Sequence, residues 1–321
     1  MASEPRISLH DQEPAPSRFL EEALAGLQAQ PKRLPCKFLY DERGSALFEQ
    51  ICELPEYYPT RTELGIMESG AAEMARRLGQ DCLLVEYGSG SSTKTRLLLD
   101  HLDRPAAYVP VDISREHLLQ AARALARSYA IEVLPVCADF TERFELPQSR
   151  HRAGSRAVYF PGSTIGNFTH EAAAELLQSV ARLCGAGGHL LIGADLVKEP
   201  ALLERAYDDA AGVTAAFNLN LLSRMNRELG CDFPLARFRH RAVWQPTAAR
   251  IEMHLVSLDA RTVHVGGHPI QFRAGERICT EHSHKYTLEG FAALAAEAGF
   301  RVEQVWTDRR GWFSVQALVV A

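Results

Sequence analysis

Residues 83–95 read LLVEYGSGSSTKT, and this stretch decides the fold. An apolar run of strand length stops at Gly88-Ser89-Gly90 and continues into residues that suit a helix. Glycine lacks a Cβ, so the chain can turn sharply there and its backbone can approach a ligand closely. At the end of a buried strand this makes a binding turn beside a helix N-terminus. The first two glycines of a G-x-G-x-x-G pattern are present, and Thr93 stands at the third position. The turn alone does not select a ligand, because several binding folds and ordinary tight turns share it.

Working outward, strands and helices alternate. Strands are expected at 82–87, 107–111, 132–136, 157–160 and 189–192, with helices at 93–102, 116–130 and 170–184. That alternation predicts an α/β fold, a Rossmann-like sheet that is mostly parallel and doubly wound. It breaks after Asp195. Residues 200–230 are helical in composition, and 240–283 read as short strands: RAVWQ, IEMHLVSL, TVHV, IQF and ERICTEHSH. A helix at 288–298 and strands near 301–307 and 313–320 restore the first pattern. The expected domains are therefore 61–196 with 285–321, and a second, α+β domain of 17–60 with 197–284. Residues 1–16, polar and Pro-containing, are expected to be a flexible tail. Thr60 and Glu63 have the spacing of a capping box, opening a helix with Met67, Met74 and Leu78 on its apolar side.

The composition is that of an ordinary globular protein, 46% hydrophobic and 23% charged. Lys and Arg total 35 against 40 Asp and Glu, a net charge of -5, so the basic excess of a nucleic-acid binder is missing. The seven cysteines are scattered without a CxxC pair. That argues against a disulfide framework or a zinc ribbon and suits a reducing cytoplasm. No apolar signal-peptide core and no membrane-spanning stretch is visible. The expectation is a cytoplasmic monomer with neither a nucleic-acid nor a membrane partner.

Two further features narrow the ligand. Asp112 ends the second expected strand (YVPVDIS), where this architecture places a carboxylate that accepts from both ribose hydroxyls. The alternative is a helix N-cap, a role that Ser114 can fill instead. Asp139-Phe140 follows the third strand; there an acid and a ring can bind the amine and the face of adenine. In this order the three signals resemble class I S-adenosylmethionine (SAM)-dependent methyltransferases. The resemblance implies SAM as methyl donor, with the methionyl part near Glu86, Gly88, Ser89 and Gly90, and Lys94 in the same site. It places the ribose at Asp112 and adenine at Asp139 and Phe140. A dehydrogenase would share the glycine turn, but no hydride-transfer constellation is found.

Longer motifs extend the resemblance. KFLYDERGS (37–45), LPEYYPTRTE (54–63), GSTIGNF (162–168), RAYDDAAGVTAAFN (205–218) and TEHSHKY (280–286) closely resemble the histidine-specific Nα-methyltransferases of ergothioneine biosynthesis, from about residue 31 to the end. That family trimethylates the α-amino group of L-histidine to give hercynine. The resemblance implies that Asn167 and Tyr207 grip the α-carboxylate and that Glu281 and Ser283 hold the imidazole, with Met253 packed on the ring. Residue geometry agrees: Asn167 sits at the carboxyl edge of the sheet, and on an extended strand Glu281 and Ser283 share a face. Tyr40, Tyr57 and Asn167 are the candidates to hydrogen-bond the amine, and Tyr57 and Phe217 to face the cationic product. Tyr58 is expected to be a packing residue.

His282 and His284 also share a face, turned away from Glu281 and Ser283. No third metal ligand is suggested nearby and sulfonium methyl transfer needs no metal, so none is expected; Lys285 has no assigned role. Two alternatives remain at this stage. An N-methyltransferase of the same fold acting on a tryptophan-like amino acid would lack an acid at position 281. A non-catalytic nucleoside-binding protein would have lost the glycines and Asp112, which are present.

Overall fold

The computed structural model of the chain describes residues 7–12, 16–90 and 92–321. They form two compact units. The first is built from Pro59–Val197 and Lys285–Ala321 together with a short N-terminal strand; the second comprises residues 16–58 and Lys198–His284.

In the first unit, Cys82–Tyr87 is buried at every position, as expected of a strand covered on both faces. It belongs to an eight-stranded sheet. In chain order the strands are β1 (His10–Gln12), β2 (Cys82–Tyr87), β3 (Ala107–Asp112), β4 (Val136–Ala138), β5 (Ser155–Phe160), β6 (His189–Asp195), β7 (Phe300–Thr307) and β8 (Phe313–Val320). Across the sheet the order is β1-β4-β3-β2-β5-β6-β8-β7. Strands β1 to β6 pair in parallel, and β8 runs antiparallel to both β6 and β7. The winding reverses at β2, between β3 and β5. Such a reversal opens a crevice beyond the carboxyl ends of the strands, where α/β sheets bind ligands. Alternate side chains of β2 feed two cores. Leu83, Val85 and Tyr87 join Val158, Leu177 and Phe291; Cys82 and Leu84 join Met67, Met74 and Tyr159.

Three expectations need correction. Residues 1–6 and 13–15 of the expected tail lie outside the described residues, but His10–Gln12 is a strand paired with β4. A side chain secures it: the Gln12 amide donates to the Glu145 carbonyl and accepts from the Glu145 N–H, both at 2.9 Å. The strand expected at 132–136 lies at Val136–Ala138. Pro135 has no N–H to give a ladder, and upstream of it Val133 makes only an isolated bridge to Tyr108. Finally, the helix expected to open at Thr60 begins at Tyr58, and the Glu63 carboxylate turns to the Gly162 N–H and Lys94 rather than to a capping box.

The second unit holds a four-stranded sheet in the order Lys32–Arg33, Arg277–His284, Arg250–Ser257, Phe238–Gln245. The helices Pro200–Tyr207 and Val213–Leu229 pack on its strands. A register shift between Cys279 and Glu281 leaves Thr280 as an extra residue. Beyond the bulge, Glu281 lies opposite Met253 and His282 opposite Glu252. Residues directly opposite one another in a ladder share a face. Glu281, Ser283 and Met253 therefore point one way, and His282, His284 and Glu252 the other.

Lys285 acquires a role in the first unit. Its ammonium meets the Asp195 carboxylate at 2.8 Å with both side chains buried. Beside it the backbone is zipped by Tyr286 N–H to Asp195 C=O and Val197 N–H to Tyr286 C=O, each 2.9 Å. Removing one partner of such a pair strands the other charge in the interior. Lys285→Met is expected to cost about 3–5 kcal/mol in urea unfolding, and Asp195→Asn added to it to recover much of that loss.

Candidate active site

The turn after β2 is built for close approach. Gly88 and Gly90 have φ of 71° and 42°, values that favour glycine. A Cβ at Gly88 would meet no atom within 4 Å, so the turn presents bare backbone to open space. The Ser89 hydroxyl is buried and has no hydrogen-bond partner among the described residues. Asp112 ends β3; its Oδ1 accepts from the Ser114 N–H at 2.9 Å, and burial raises its carboxyl above the ordinary range. Ser114 stands at the N-cap position of Arg115–Ser128 but makes no side-chain cap hydrogen bond, so the capping role expected of its hydroxyl is not filled. Bare glycine backbone, an orphaned hydroxyl and a strand-end carboxylate fit a nucleoside with a polar tail, as SAM has.

Other residues expected here are already engaged inside the unit. Glu86 is buried and accepts from Thr95 at 2.6 Å and Tyr108 at 2.5 Å. Burial pushes its carboxyl up to about 8, leaving it mostly protonated at neutral pH. Lys94 pairs with Glu63. Asp139 is buried and accepts from the Thr141 N–H at 3.0 Å and hydroxyl at 2.5 Å. Phe140 stacks on Tyr87, with centroids 5.1 Å apart, and meets Phe160 and Phe168 edge-on at 5.5 and 6.5 Å. The loop after β5 carries Asn167 at the end of the turn Thr164–Asn167. The following helix is capped by Thr169, which accepts from the Ala172 N–H, so Asn167 is not spent as the cap.

The second unit gathers most of the residues expected to hold the acceptor. Tyr40, Tyr57, Tyr207 and Phe217 form one aromatic cluster through Phe48. Tyr40 meets Phe217 at 5.5 Å and Tyr57 meets Tyr207 at 5.9 Å, while Phe48 touches Tyr40, Tyr57 and Phe217. The Tyr207 and Ser283 hydroxyls are 2.7 Å apart in a hydrogen bond, and Met253 is buried opposite Glu281. Burial first, and the Glu281 carboxylate next, hold the Tyr40 phenol well above its ordinary value. Tyr57 is raised by burial and then by Tyr207. At neutral pH both are therefore hydrogen-bond donors and π faces, not bases. The Tyr58 hydroxyl accepts from Lys198 at 2.8 Å.

The opposite face of the sheet carries a different group of possible metal donors, one that includes neither His282 nor His284. Glu252, His254 and Cys279 offer ligand atoms within 4.8 Å of one another. Arg250 engages one oxygen of Glu252 through two bonds of 2.5 and 2.9 Å, and His254 lies 3.2 Å from the other. Burial pushes the Cys279 thiol up to about 12. The cluster reads as an ion-paired network.

Comparison with known proteins decides the family. A family model described as histidine-specific methyltransferase, SAM-dependent, matches residues 19–320. The chain belongs to this family. It is 46% identical over 302 residues to a histidine N-alpha-methyltransferase of Mycolicibacterium smegmatis, covering 92% of each chain. A protein of the same name from Mycobacterium tuberculosis is 44% identical, covering 91% of each. Ergothioneine biosynthesis protein 1 of Neurospora crassa is 31% identical over 86% of this chain and 32% of its own. Membership makes the chain a SAM-dependent methyltransferase acting on a small molecule.

Sequence reading missed Phe48 and His240 in this methyltransferase and gave Glu63 a capping role. Phe48 lies in a helical run without a motif of its own. His240 falls one residue before the expected strand RAVWQ; beginning the alternation at Phe238 would have placed it inward. Glu86 yields a test of its environment. Its carboxyl is raised from 4.5 to about 8, so the stability it contributes is full below the unfolded value and is lost as pH rises through about 8. Glu86→Gln is expected to flatten the loss between pH 4.5 and about 8, measured by urea unfolding across that interval.

Proposed function

We propose that this methyltransferase transfers methyl groups from SAM to the α-amino group of L-histidine, in three successive steps giving hercynine for ergothioneine biosynthesis. The observation that carries the reading is the buried Tyr207–Ser283 hydrogen bond at 2.7 Å, on the face that Ser283 shares with Glu281 and Met253. A small ring with a nitrogen on each side needs one partner per nitrogen. Glu281 and Ser283 supply them, and Met253 offers a polarizable contact to the ring. An indole lacks the second nitrogen, so the pair favours imidazole.

When bound, SAM supplies an electrophilic sulfonium methyl. The chain's own work is then alignment. Gly88, Ser89, Gly90 and Lys94 are proposed to hold the methionyl part, with Glu86 bracing the turn from inside. Asp112 takes the ribose, and Asp139 and Phe140 take the adenine. Asn167 and Tyr207 take the acceptor carboxylate. Because Tyr40 and Tyr57 stay protonated, they orient the amine without deprotonating it, and the neutral fraction of the amine reacts. Each methyl removes an N–H donor, and the product is a permanent cation. The ring faces of Tyr57 and Phe217 can hold such a cation after its last N–H is gone.

Labelled donor and a panel of amino acids, read by mass for one, two or three added methyls, test the reading; histidine left unmethylated would sink it. Glu281→Ala is expected to raise the KM for histidine by at least about tenfold, the loss of one buried polar contact, with donor KM unchanged. Equal loss on both substrates would count against the assignment. Asp112→Ala is expected to weaken donor binding by calorimetry and to spare histidine binding.

A further inference from the structure

Tyr207 is the last residue of the helix Pro200–Tyr207. Carbonyls in the last turn of a helix have no intrahelical partner and must find one elsewhere. The Tyr207 carbonyl finds His240, whose Nε2 lies 2.8 Å away. His240 is 6% exposed and stands on the central part of the strand Phe238–Gln245. Its Nδ1 lies 2.9 Å from the Asn218 side-chain nitrogen. That nitrogen also donates to the His254 carbonyl at 3.2 Å.

The direction of every bond in this chain follows. A carbonyl oxygen can only accept, so the Asn218 side chain must present its NH2 to the His254 carbonyl. Turning the amide over would set two acceptors against each other. The same NH2 carries a second hydrogen and lies 2.9 Å from His240 Nδ1; a nitrogen that receives this donor must be the unprotonated one. The proton of a neutral imidazole then sits on Nε2, aimed at the Tyr207 carbonyl. Burial lowers the His240 pKa against the Tyr207 carbonyl bond first and then the pull of Asp208 and Asp209, which favours that neutral form.

We propose that His240 is the positioning residue for Tyr207 in acceptor recognition. Its Nε2–H fixes the Tyr207 backbone while Ser283 engages the hydroxyl, so that the side chain is held at both ends. The proposal deepens the histidine N-methyltransferase reading and rests on it. His240 itself touches no substrate; it acts through Tyr207. Asn218 acts one bond further back, by holding the imidazole in the tautomer that can donate.

Two substitutions separate the parts. His240→Asn keeps a polar group near Nδ1 and deletes the donor at Nε2. His240→Gln places an amide NH2 where Nε2 was. In steady-state assays with SAM as donor, H240N is expected to raise the KM for histidine about tenfold, the effect of leaving one buried carbonyl unpaired. Its kcat and donor Kd should stay within about threefold of the starting enzyme, and H240Q should recover most of the lost histidine affinity. A merely structural role predicts instead a lower melting temperature, a smaller active fraction and unchanged KM values. If H240N does not fold, Asn218→Leu reads the same coupling, with a histidine KM raised in the same direction by a smaller factor. An H240N or N218L enzyme with its histidine KM within about twofold of normal overturns the proposal, as does a donor Kd that rises in step. Failure of the underlying function looks different: the unmodified protein then leaves histidine unmethylated.

Discussion

A carboxylate with no exposure to solvent organises the ligand-facing edge of the first unit. Glu63 is 0% exposed, and a buried charge is tolerable only when its hydrogen bonds are made inside the protein. It makes them to two other elements at once. Both oxygens accept from the Gly162 N–H, at 3.1 and 2.9 Å, and one pairs with Lys94. Space for it comes from β6: a Cβ at Gly193 would lie 2.3 Å from the Glu63 carboxylate. The helix Tyr58–Leu78, the helix Thr93–Leu99 behind the glycine turn and the loop that runs to Asn167 are thus tied at one point. Loops at the carboxyl edge would otherwise be free to drift, and a displacement reaction tolerates little drift.

The second unit solves a related problem with neutral groups. Its sheet must show an apolar and hydrogen-bonding face to its helices and a charged face on the other side. Strict alternation along Arg277–His284 would carry the parity of Ile278 through to His282 and His284. The bulge at Thr280 resets it, and the Thr280 hydroxyl donates to the Met253 carbonyl at 3.1 Å. One inserted residue therefore puts Glu281 and Ser283 on the face of Met253 and sends the two histidines to the Glu252–Arg250 side. The HxH motif is a consequence of this switch: period two gives the pair a common face, and that face carries an arginine-occupied carboxylate.

How much of this was legible in the sequence depended on the physics of each element. Strands buried on both faces, such as β2 and β3, are continuous apolar runs and stand out. β1 did not, because His-Asp-Gln has no apolar signal and is held by a side-chain amide that mimics a backbone partner. β4 was misplaced because Pro135 interrupts a run that otherwise reads as one strand. Glu63 was misread for a subtler reason: its spacing from Thr60 satisfies a local rule, but the sheet's need for a buried acceptor is not local. Among candidate site residues, Tyr207, Glu281 and Ser283 stood out because long motifs carried them, and Asp112 because it ends the strand that follows the glycine turn. Asn218 and His240 did not, since buried and exposed amides and imidazoles look alike in a sequence until the strand's parity is known.

The tyrosines bear on why one proposed site can serve three successive transfers. A site that recognised its acceptor only through amine hydrogen bonds would lose a contact with every methyl added. The cluster of Tyr40, Phe48, Tyr57, Tyr207 and Phe217 offers two kinds of contact from the same side chains. Phenol oxygens can accept an N–H while one remains, and ring faces can hold an alkylated cation afterwards. Keeping the phenols protonated matters for this exchange. A tyrosinate would pair strongly with an ammonium and hold the acceptor amine in its unreactive, protonated form. Burial holds Tyr40 and Tyr57 in the neutral state, and in the proposed site that would leave the amine free to lose its proton and attack. The aromatic density of this cluster therefore sets the charge state of its own hydroxyls, and through them the reactivity of the amine they would face.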